Sequence, residues 1–97
     1  MKNQGEYMQQ IKIAHYKRID RTMYRNGGRL LLDDTTLVLK NWFRKIAVFD
    51  KVALTLKVLP KHIMGYRAII LSDTDKAYEC LLWGQEYAAL EAQLLNR

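Results

Sequence analysis

Residues 66–83 decide the fold: Tyr66-Arg67-Ala68-Ile69-Ile70-Leu71-Ser72-Asp73-Thr74-Asp75-Lys76-Ala77-Tyr78-Glu79-Cys80-Leu81-Leu82-Trp83. Tyr66–Leu71 and Ala77–Trp83 are two apolar, β-prone runs of strand length. Between them, Ser72–Lys76 supplies aspartates that hydrogen-bond their own backbone, so the pair reads as a hairpin. Gly84 ends the second strand. Gln85–Asn96, rich in Ala, Leu, Gln and Glu, is predicted helical, with Tyr87, Leu90 and Leu94 on one face. Working back toward the N-terminus, Val52, Leu54, Leu56 and Val58 alternate with Ala53, Thr55 and Lys57, which predicts a half-buried strand ending at Pro60, with a loop over 61–65. Arg29–Leu32 and Thr36–Leu39 flank Asp33-Asp34-Thr35 and predict another hairpin. Gly27 and Gly28 suit either a hairpin turn or a helix C-cap.

Two segments stay open. Ile13–Arg25 fits a helix better than a strand: Ile13, Tyr16, Ile19 and Met23 gather on one side, and Lys17, Arg18, Arg21 and Arg25 on the other. Asn41–Phe49 places Trp42, Phe43, Ile46 and Phe49 at helical spacing, yet it lies between strand-like runs. The expected class is α+β: a single small domain with an antiparallel sheet or partly closed barrel of four to six strands, a C-terminal helix, and a possible second helix near 13–25. This element order is similar to that of the pleckstrin-homology type, a small barrel capped by a terminal helix, although a fold carries no function by itself.

The composition is that of a folded chain. With 97 residues, 49% hydrophobic and 27% charged, it can bury one unstapled core. Only residues 1–6 suit disorder. A single cysteine makes no internal disulfide and points to a reducing compartment. No signal-peptide pattern and no apolar span is present, so the expectation is a cytoplasmic protein without membrane association.

Little catalytic chemistry can be assembled from these residues. His15 and His62 lack partners at metal-ligand spacing. Cys80 neighbours Glu79, which raises a thiol pKa, and it reads as core. Ser72 is the only serine and has no nucleophile elbow around it. Asp73 and Asp75 lack the glycine and distal Glu of a calcium loop. No cofactor is implied, and the chain is expected to bind rather than catalyse.

Charge supplies the functional signal. Residues 1–67 hold fourteen Lys/Arg against five Asp/Glu, a net of +9, while residues 68–97 hold two against five, a net of −3. Such polarity favours an anionic partner. Two basic, aromatic clusters are the candidate sites. The first comprises Lys12, His15, Tyr16, Lys17, Arg18, Arg21, Arg25 and Arg29, with Tyr24 interleaved and one acid, Asp20, among them. The second comprises Lys40, Trp42, Arg44 and Lys45, together with Phe43. Cations contact phosphates and planar rings stack on unpaired bases. In the alternative, Trp42 and Phe43 belong to the core and the cations form a solvated face.

Three functions follow. The first is a small nucleic-acid-binding protein, for DNA or RNA, electrostatic and weakly sequence-specific. The second is an adaptor or inhibitor acting on an acidic partner protein, using the same cations and the tyrosines and tryptophans that interfaces favour. The third is an enzyme: strand, Gly65-Tyr66-Arg67, strand, acidic turn, strand resembles the C-terminal half of small ribonuclease toxins. That resemblance spans about forty residues, and the helical hairpin those toxins carry upstream is not evident here. No feature of the sequence fixes an oligomeric state.

Overall fold

The computed structural model describes residues 9–95, so the expected disorder over residues 1–6 lies outside the described residues. Nine strands and one helix succeed one another: β1 Gln9–Lys12, β2 His15–Arg18, β3 Arg25–Asn26, β4 Arg29–Leu32, β5 Thr36–Lys40, β6 Lys45–Asp50, β7 Thr55–Ile63, β8 Tyr66–Ser72, β9 Ala77–Leu82 and α1 Gly84–Leu95. The class is α+β as expected, but the strands are divided between two antiparallel sheets that do not close into a barrel. One has the order β1-β4-β5-β6 and the other β3-β2-β9-β8-β7.

Ile11, Leu30, Leu39 and Phe49 of the first sheet share one buried cluster with Ile69, Leu71, Cys80 and Leu82 of the second. The helix contributes Leu90 and Leu94 to that cluster and Tyr87 at its margin, the three residues its periodicity predicts. Its N-terminal turn also covers a sheet edge, where Glu86 Oε1 accepts the backbone N–H of Lys12 at 2.9 Å. An open edge is a template for unwanted pairing, so such cover protects the fold.

No helix forms over 13–25. Residues 9–18 run as one extended course that changes sheets at Ile13-Ala14, and 19–24 then turn the chain back into β3, antiparallel to β2. Ile13 N–H donates to Gly28 O at 3.0 Å, beside the first sheet, and Ala14 N–H donates to Leu81 O at 2.9 Å, in the second. A strand that turns such a corner shifts its alternation by one residue. Ile11 and Ile13 face the core, then Tyr16 does, and the resulting three-residue step imitates a helical face.

Three further expectations are corrected. Val52 is 98% exposed in the turn before β7, because that strand starts only at Thr55. Pro60 does not end β7, which continues to Ile63. It is tolerated because β7 is an edge strand with a register shift between Val58 and His62. Met64 and Gly65, both at positive φ, then form the two-residue turn into β8, in place of the loop expected over 61–65. Asn41–Phe49 is a hairpin tip followed by β6, and only Phe49 and Ala47 of it are buried.

Candidate nucleic-acid interface

At one end of the two sheets, the segment between β2 and β3 and the tip of the β5–β6 hairpin form the walls of an open cleft of about 880 Å³. Its floor is the rim of the core, Tyr16, Tyr78 and Ile46. Arg18, Arg21 and Arg25 come from one wall and Arg44 from the other. Parts of the two clusters, which stand eleven or more residues apart in the chain, therefore meet across one opening.

The hairpin tip owes its shape to Asn41. Its Oδ1 accepts the backbone N–H of Phe43 at 2.7 Å and of Arg44 at 2.9 Å, while its own N–H donates to Arg44 O at 3.1 Å. This side-chain-closed turn lifts the two following rings away from the core. Trp42 is 69% and Phe43 91% exposed, so neither belongs to the core. The opposite wall adds Met23, 79% exposed, and Thr22.

Behind that wall lies a polar anchor. Tyr24 Oη donates to Glu79 Oε2 at 2.7 Å, Lys17 Nζ stands 3.6 Å from Glu79 Oε1, and Lys17 Nζ donates to Arg21 O at 3.0 Å. Burial first, then the hydrogen bond and charge of Glu79, push the Tyr24 phenol up to about 12. Lys17 is thus spent on holding its own loop, and its ammonium is not on the solvent side that a helix would give it.

The residues singled out by sequence fall into groups. Tyr16, Lys17, Arg18, Arg21, Tyr24, Arg25, Trp42, Phe43 and Arg44 line the cleft. Tyr16 is buried at its base, and Arg18 and Arg21 share Asp20 at 3.0 and 3.9 Å. His15 lies outside it, on the outer face of the second sheet, edge-on to Tyr66 at 5.5 Å and to Tyr24 at 6.4 Å. Lys12, Arg29, Lys40 and Lys45 also lie outside the lining, as successive register partners across the first sheet. Sequence reasoning missed Thr22, Met23, Asn26, Asn41, Ile46 and Tyr78. Only Asn41 carried a readable signal, as a turn-forming residue standing where Asp33 and Asp73 stand in their hairpins.

Cys80 is fully buried, and burial together with the Glu79 charge raises its thiol pKa. Among the described residues no group of three metal-ligating side chains exists, and no helix is long and apolar enough to cross a membrane. Comparison with protein families, curated proteins and solved structures finds no match.

Proposed function

We propose that this protein binds nucleic acid in a cytoplasmic setting, through contacts that are electrostatic in origin and weakly specific for sequence. The observation that carries the reading is the convergence of Arg18, Arg21, Arg25 and Arg44 on one cleft whose lip bears the exposed rings of Trp42 and Phe43. Guanidinium groups engage phosphates, and exposed rings stack on bases without discriminating among them. The cleft lining supplies cations, aromatics and amides, with no carboxylate or imidazole to remove a hydroxyl proton, which favours holding over cutting.

The test is a salt titration of binding to single-stranded and duplex oligonucleotides. Log K should fall with log salt at about −0.7 per neutralised phosphate on single strands and about −0.9 on duplex. Replacing Arg21, Arg25 and Arg44 together by Gln should flatten the slope by about two to three units while leaving the thermal midpoint nearly unchanged, since these side chains are solvent-exposed. Binding that ignores salt, or ignores the triple substitution, overturns the reading. A second reading, an acidic protein partner, is favoured by the exposed Met23 and Phe43, which can anchor a protein interface. It requires that nucleic acid fail to bind at moderate salt.

A further inference from the structure

Lys12 stands opposite Arg29, Arg29 opposite Lys40, and Lys40 opposite Lys45, so a row of four cations crosses all four strands of the first sheet. The neighbours Ile11, Leu30 and Leu39 face the core, which turns Lys12, Arg29 and Lys40 to the outer face. Lys45 closes the row beside the irregularity at Leu39/Lys40. Like charges directly opposite one another destabilise a sheet, and here they occur in three consecutive pairs. Among the described residues, none of the four is in an ion pair. Neighbouring strands lie about 4.8 Å apart, so the row is about 14 Å long.

The row ends at the hairpin that carries Trp42. Arg29 lies over that indole at 4.9 Å from the ring centre, and a Cβ added at Gly27 would come within 3.3 Å of Trp42 Nε1. The Arg29 guanidinium thus covers one side of a ring that remains largely open to solvent, beside a position where only glycine leaves it room. A duplex offers its bases no free face for such a ring, whereas a single strand does.

We propose that the ligand is a single strand that runs from the cleft past Trp42, which stacks on one base, and on across the outer face of the first sheet, its phosphates there on Lys12, Arg29, Lys40 and Lys45. The proposal rests on the nucleic-acid reading above and specifies the form of the ligand and its path. A stacking platform held by its own cation binds with less ordering cost than a free ring.

A Trp83→Phe background leaves Trp42 as the sole tryptophan, and titration with a twelve-residue oligothymidylate should quench its fluorescence. Trp42→Ala, followed by fluorescence anisotropy of a labelled oligonucleotide, should weaken the single strand by about 10- to 100-fold and the matching duplex little. Changing Lys12, Lys40 and Lys45 together to Gln should flatten the single-strand salt slope by about two units, with a thermal midpoint equal to or above that of the parent. Duplex bound as tightly as single strand without quenching, or a slope unmoved by the lysine triple, overturns the proposal while leaving the cleft reading standing. Absence of binding to either oligonucleotide defeats both.

Discussion

Glu79 is the buried carboxylate among the described residues, 8% exposed on β9, and the proposed site leans on it. An unpaired buried charge is costly, so its two oxygens take Tyr24 and Lys17, and through them Arg21 and Tyr24 of the 19–24 segment are tied to the second sheet. Tyr24→Phe removes the hydroxyl alone. The expected cost is about 1 kcal/mol, because the bond is charge-assisted but part-exposed. Amide exchange over 19–24 should accelerate, and nucleic-acid affinity should fall although every arginine remains. A raised phenol pKa has a definite sign: the stabilisation is complete below the ordinary tyrosine value of about 10 and is lost as pH climbs through about 12. Tyr24→Phe should therefore also lessen the alkaline loss of stability in that window. Equal alkaline unfolding of the variant and parent would show that the Tyr24–Glu79 bond carries no weight.

Three hairpin turns repeat one device. Asp33 Oδ1 accepts the N–H groups of Thr35 and Thr36, Asn41 Oδ1 those of Phe43 and Arg44, and Asp73 Oδ1 those of Asp75 and Lys76. The aspartate pair was legible because each separates two apolar runs. The Asn41 turn was not, since Trp42, Phe43, Ile46 and Phe49 fall at helical spacing and mask the hairpin. Tyr16 and Ile19 similarly obscured the 9–18 segment, because a strand turning a corner loses its two-residue alternation. Both failures hid the cleft, as its walls are those two segments. The turns also differ in acid. Bonds from the Thr36 and Thr35 backbone hold the Asp33 carboxyl below its ordinary value, and the Lys76 side chain does so for Asp73, followed by backbone bonds. A depressed pKa contributes stability above the unfolded value of about 3.9, lost as pH falls through the folded one. The double variant Asp33→Asn, Asp73→Asn keeps an acceptor oxygen at each turn. Between pH 6 and pH 3 its urea midpoint should drop less than that of the parent, and an equal drop would place acid sensitivity elsewhere. The Asn41 amide does not titrate, so the hairpin bearing Trp42 should keep its shape in acid.

At the scale of the molecule, the charge split of the sequence becomes a division of labour. Four of the five acidic C-terminal residues are engaged by neighbours: Asp73 on its turn, Glu79 on Tyr24 and Lys17, Glu86 on the Lys12 amide, Glu91 on the Tyr87 hydroxyl. Nine of the fourteen cations of residues 1–67 stand at the cleft or along the cation row. No residue of α1 lines the cleft, yet α1 seals the core shared by both sheets through Leu90 and Leu94. Stability and the proposed binding are therefore separable. Leu90 is fully buried, so Leu90→Ala should cost about 2–5 kcal/mol, a large part of the net stability of a small domain. Leu90→Asp should unfold it by placing a carboxylate where Leu90 meets only the apolar cluster. Circular dichroism should show the alanine variant melting well below the parent but folded in the cold. At that temperature its affinity for single strands should match the parent's within about twofold, since the cations and Trp42 are untouched. A variant that stays folded yet loses binding would mean that the helix transmits to the cleft, and the two sheets would then have to move as coupled bodies rather than as a fixed platform.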